Sequence, residues 1–155
     1  MKISVTNPGP TQAGSLAFLK TKTKCHLINN QWVKSKDTDP IATVDPATGD
    51  TLAYIQAGSK ADVNAAVKAA RTAFKSGEWA SMTPAVRGKL LWKMAELIEA
   101  NIDALAELET LDQGKPLYVG RWAEIPGAAE QFRYFAGMAT KIPVSYTHLT
   151  LPTKA

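Results

Sequence analysis

Apolar residues recur at helical spacing from residue 59 onward and alternate with polar ones before it, so the pattern predicts short strands followed by helices. Residues 26–33 alternate about Asn29-Asn30, a pair suited to a tight hairpin turn. Residues 41–44 and 51–56 read as two more strands. Between them Asp45-Pro46-Ala47-Thr48-Gly49 is a turn in which proline fixes one dihedral and glycine takes a positive one. Ser59, with Asp62 three residues on, forms a capping pattern. The helix it opens carries Val63, Ala66, Val67, Ala70 and Phe74 on one face, expected to be core, and ends at Gly77, with Trp79 over the turn. Thr83-Pro84 starts the next helix, with Val86, Leu90, Met94, Leu97 and Ile98 at helical spacing to about Asn101. Asp103 caps a shorter helix whose buried face is Leu105, Leu108 and Leu111, and Gly114 closes it in a left-handed conformation. A last helix runs over 116–139 with Tyr118, Trp122, Ile125, Ala129, Phe132 and Ala136 inward and a kink at Pro126. Residues 1–24, broken by Pro8, Gly9, Pro10 and Gly14, read as a flexible arm with one helical turn over 15–20.

Composition narrows the class. At 155 residues, 45% apolar and 21% charged, the chain has the makings of one ordinary globular domain and not of a disordered segment. It has no run of eighteen apolar residues and no apolar signal core before Pro8, so neither a membrane span nor a secretion signal is expected. The single Cys25 excludes an internal disulfide and suits a reducing cytoplasm. A net charge of +4 raises the question of nucleic acid, but the basic residues are scattered among acids. Only Lys20, Lys22 and Lys24 cluster, alternating with threonines, as a solvated arm would, and no nucleic-acid partner is expected.

The corner after the third predicted helix carries more than periodicity. Glu109-Thr110-Leu111-Asp112-Gln113-Gly114-Lys115-Pro116 resembles the ETLDNGKP-type signature of the aldehyde dehydrogenase superfamily. Asn30-Gln31-Trp32-Val33 followed by Val44-Asp45-Pro46-Ala47-Thr48-Gly49-Asp50 resembles the NGEWV…NPATGE opening of that superfamily. Residues 87–116 follow its RGRLLxxLADLIE…LAxLETLDxGKP run, and Arg133-Tyr134-Phe135-Ala136-Gly137 resembles its RYYAG segment, so the likeness spans 27–142. It implies an α/β fold, here the N-terminal part: a β-hairpin and strands, then helices that precede a Rossmann-like sheet.

For activity, the resemblance implies oxidation of a small-molecule aldehyde to an acid with NAD or NADP, by a homodimer or homotetramer. In the family a cysteine forms a thiohemiacetal, a glutamate acts as base and an asparagine helps hold the oxyanion. All three are expected beyond this chain, as are the cofactor-binding lysine and glycine turn. No Gly-x-Gly-x-x-Gly pattern occurs here. Cys25 lies between Lys24 and His26 but before the first strand, without the family's glycine-rich approach, and is not read as the nucleophile. The chain is therefore expected to be inactive by itself.

Two weaker sites follow from the same resemblance. Thr43, Val44 and Asp112 occupy positions whose oxygens hold a monovalent cation in several members. Ala123 and Gly127, four apart and so on one helical face, align with the lining of the substrate tunnel. Their small side chains favour bulky aromatic aldehydes such as phenylacetaldehyde. Residues 25–143 are taken as the family portion. Residues 144–155, read back into codons, resemble a transposon-end adapter used in sequencing libraries and are taken as an artefactual tail. The alternative from the residues alone is a non-catalytic helical interaction module built on the amphipathic helices.

Overall fold

A computed structural model describes residues 10–36 and 38–141; the tail 144–155 lies outside the described residues. The alternating N-terminal part forms two small sheets. Strands β1 (Thr23–Lys24), β4 (Ile41–Val44) and β5 (Thr51–Ile55) make one of them, in the order β1-β5-β4. Strand β5 runs parallel to β1 and antiparallel to β4. Strands β2 (His26–Ile28) and β3 (Gln31–Val33) form a separate antiparallel hairpin. Asn29 and Asn30 have φ of 51° and 60°, the left-handed pair that a two-residue hairpin turn requires. The β4–β5 turn closes as its residues dictate. Asp45 accepts from the Ala47 amide at 2.8 Å, and Gly49 sits at φ 81°.

Helices then follow in the expected order. Helix α2 (Lys60–Ser76) opens on the capping box: Ser59 Oγ accepts from the Asp62 amide, and the Asp62 carboxylate accepts from the Ser59 amide at 2.8 Å. A short α3 (Glu78–Ser81) leads to α4 (Pro84–Ala100), with Thr83 as N-cap and proline in the first turn. Helix α5 (Ile102–Gln113) ends at Gly114, whose φ is 73°. The last helical stretch is composite: α6 (Leu117–Val119), a π-helical turn (Gly120–Glu124) and α7 (Ile125–Met138). None of the helices among the described residues is long and apolar enough to cross a membrane.

Four expectations need correction. The apolar face assigned to α2 is not core: no residue of α2 is buried, and Val67 and Phe74 are 60% and 72% exposed. The face assigned to α4 also points outward, with Val86, Leu90, Met94 and Leu97 exposed, while Gly88 and Ala95 are buried. The reason is the close approach of α7. A methyl group placed on Gly88 would stand 2.8 Å from the carbonyl oxygen of Ala136, so only the small-residue face of α4 fits there. Ala95, Ala129 and Ala136 complete that seam. In the last stretch Ala129 and Ala136 are buried as expected, but Tyr118 and Trp122 are 67% and 78% exposed. The π turn explains the split. The Ile125 amide reaches back to the Gly120 carbonyl, five residues away, and this extra residue rotates the preceding turn out of phase. Finally, Asn101 and not Asp103 occupies the cap position of α5; Asp103 lies in the first turn and pairs with Arg121 at 2.7 Å.

The segment before β1, read from sequence as an arm with one turn, carries an eight-residue helix α1 (Ala13–Lys20) packed on α5. Ser15 is fully buried there and donates to the Ala104 carbonyl at 3.0 Å.

Candidate functional site

The two corners that stand out in the sequence meet in space. Gly114 closes α5 in a conformation with φ 73°, and a methyl group there would come within 2.8 Å of Pro46 Cγ. The turn between β4 and β5 therefore rests on the end of α5. Glycine is needed twice over, for its dihedral and for its missing side chain. Beyond it, Lys115 ties three pieces together, pairing with Glu109 of α5 at 3.1 Å and with Glu124 of the π turn at 2.7 Å. Glu124 and then Glu109 hold the Lys115 ammonium above its usual range, and Lys115 in turn lowers the Glu124 carboxyl. Gly120 lets the π turn approach α5, since a methyl group there would meet Ala106 Cβ at 3.2 Å. The periodicity gave no sign of this knot; its only signal was Lys115 within the Gly-Lys-Pro corner.

Beside the corner lies a cleft of about 520 Å³ between α1, the three-stranded sheet and α5. Its lining is mostly apolar, with Phe18, Leu52, Ile55 and Leu111 among the residues and Lys24, Thr43, Glu109 and Asp112 as polar members. Thr43 and Asp112, from opposite walls, are thus brought to one space, while Val44 does not line it and is 43% exposed. The bulge between Thr43 and Val44 separates the two residues in register. Ala123 and Gly127 lie elsewhere. Both are exposed, and nothing stands within 4 Å of a methyl group built on Gly127. Among the described residues no group of three or more His, Cys, Asp or Glu is placed to hold a metal. Cys25 is half-buried between β1 and β2.

These corners and their order are those of a known family. The profile of the aldehyde dehydrogenase family matches residues 32–154. This chain belongs to the aldehyde dehydrogenase family. Phenylacetaldehyde dehydrogenase of Pseudomonas fluorescens is 42% identical over 126 residues, which are 81% of this chain and 25% of that protein. Aldehyde dehydrogenase 1 of Tanacetum cinerariifolium is 45% identical over 128 residues, 83% of this chain and 26% of that protein. Among solved structures, the NAD+ complex of aldehyde dehydrogenase from Bacillus cereus superposes with a TM-score of 0.82 at 42% identity. The match covers 86% of this chain and 27% of that one. The chain thus spans about a quarter of the length of the relatives it matches.

Among the described residues, the one strand-to-helix turn does not fit a pyrophosphate. The strand-to-helix turn best placed for a pyrophosphate is 56–59, between β5 and α2. Its single glycine, Gly58, faces the His26 ring, with a built methyl group 3.7 Å from Cε1. The helix start is already occupied by a carboxylate: hydrogen bonds from Ser35 and then Ser59 hold Asp62 down to about 2. An ionised Asp62 at that end would repel a phosphate.

Proposed function

We propose that this chain is the N-terminal portion of an NAD(P)-dependent aldehyde dehydrogenase, a longer protein that oxidises a small-molecule aldehyde to the acid. The contact of Pro46 with Gly114 carries the reading, because it joins the two family corners as one structural unit. The catalytic cysteine, glutamate and asparagine, and the residues for NAD or NADP, belong to the part that follows. The family's cysteine thiohemiacetal route is attributed to that whole protein, which works as a homodimer or homotetramer in the cytoplasm. Within this chain Thr43, Val44 and Asp112 offer oxygen donors to a monovalent cation, with Thr43 and Asp112 supported by their shared cleft. Ala123 and Gly127 leave open space on the composite helix for the tunnel mouth, which favours aromatic aldehydes.

The test is to read the source DNA across the codon for Ile142 and to assay the continued product. A frame that runs on into a downstream glutamate and cysteine, with aldehyde-dependent reduction of NAD(P)+, supports the reading; a natural stop after Ala155 defeats it. One observation favours a second reading, a helical interaction module: no residue of the apolar stripe of α2 is buried. Such a module stays monomeric in solution, whereas a portion of a larger enzyme, with apolar faces uncovered, self-associates.

A further inference from the structure

Helix α1 is held by its two ends. At its start Gln12 makes no side-chain cap, and the carboxylate of Glu107, 95 residues away on α5, takes that place. Glu107 Oε1 accepts from the Thr11 amide at 2.6 Å and from Thr11 Oγ1 at 2.7 Å, while Oε2 accepts from the Gln12 amide at 3.0 Å. At its finish the Lys24 ammonium donates to the carbonyls of Phe18 and Thr21 and lies 3.9 Å from the Phe18 ring centre. A negative group at the start and a positive one at the end both complement the helix dipole. Gly14 fits α1 closely to α5, since a methyl group there would stand 2.8 Å from Ala104 Cβ. The helix so held supplies Phe18 and Leu19 to the cleft that also contains Thr43 and Asp112.

We infer that Glu107 is a positioning residue, whose carboxylate clamps the start of α1 on α5 and thereby keeps Phe18 and Leu19 as one wall of the cleft. The inference stands on contacts within this chain and does not depend on what the cleft binds. Glu107 is 8% exposed, so removing its charge weakens part-buried hydrogen bonds and leaves one of the two amides without a full acceptor. Burial raises its carboxyl, but hydrogen bonds from the Thr11 hydroxyl, the Thr11 amide and the Gln12 amide outweigh that and bring it below the usual glutamate range. A lowered carboxyl contributes stability that is complete above its unfolded value and is lost as pH falls through the folded one.

Residues 10–19 contain no other titratable side chain, and Lys20 stands at the far end of α1. On α5 itself Asp103 pairs with Arg121, Glu109 pairs with Lys115, and Asp112 is exposed. From the π turn come Arg121 and Glu124, the latter paired with Lys115. On α4 and α7, which also touch α5, Glu99 pairs with Arg133. Glu107 is therefore the acid whose protonation acts directly on the start of α1.

The test is amide hydrogen exchange in the full 155-residue chain, corrected for intrinsic rates. The expected result for Glu107→Gln is exchange in residues 13–20 faster by about tenfold or more, with α4 and α7 unchanged. In the unaltered chain the protection of α1 should fall as pH drops below the usual glutamate range, and in Glu107→Gln that pH dependence should vanish. Thr11→Val, which removes only one hydrogen bond, should speed α1 exchange by about threefold and serves if the glutamine variant does not fold. The inference is overturned if α1 exchange stays within about twofold in the variants that fold, or if α1 and α4 lose protection equally.

Discussion

Helices α2 and α5 both carry an apolar stripe, yet α2 has no buried residue and α5 buries Ala106, Glu107 and Leu111. The difference is in what the chain brings to each. Helix α5 is met by α1, by the π turn and by the β4–β5 turn through Pro46, each on a close contact at Gly14, Gly120 or Gly114. Helix α2 touches α3, β2 and, through Asp62, Ser35, but its Val63, Val67 and Phe74 remain exposed. An amphipathic pattern therefore records a face that needs cover, and does not say that the cover lies within the same stretch of chain. The matched relatives are about three times as long as this chain, and under the proposed function the missing cover of α2 comes from sequence outside this stretch.

Substitutions on the two sides should separate sharply. Gly114→Val combines a disfavoured left-handed residue with a collision on Pro46 and should cost about 3 kcal/mol or more, read as a fall in the urea midpoint. Gly88→Ala pushes a methyl group against the Ala136 carbonyl, a backbone atom that cannot step aside, and should cost about 1–3 kcal/mol by thermal unfolding. Ser59→Ala removes half of the capping box of α2 and should cost about 1 kcal/mol, with faster amide exchange confined to the first turns of that helix. Phe74→Ser, at 72% exposure, should change the stability of this chain by less than about 0.5 kcal/mol. Its visible effect should be less self-association in sedimentation, because a large apolar group leaves the surface.

What the sequence disclosed was local. Asn29-Asn30, the Asp45–Gly49 turn, the Ser59/Asp62 box and Gly114 each fix their own backbone by steric and hydrogen-bonding needs within a few residues. Of the candidate site, Thr43 and Asp112 were brought into one cleft, and the family corners that carry them were readable as words. The rest depends on partners distant in sequence. Helix α4 has apolar residues on two faces, and only the approach of α7 selects the one with Gly88 and Ala95. The π turn shifts the phase of Trp122 by one residue without any residue type that announces it. Glu107 looks like any solvated glutamate until Thr11, 96 residues earlier, is laid against it.

The central claim is that the face of α2 is exposed in this chain and covered in the longer enzyme proposed above. The direct measurement is the change in unfolding free energy for Val67→Asp made in both proteins. The account predicts a change within about 0.5 kcal/mol in the 155-residue chain, where Val67 is 60% exposed, and a loss of several times that in the longer enzyme. An equally small change in both would contradict it, and α2 would then be an open surface in its own right.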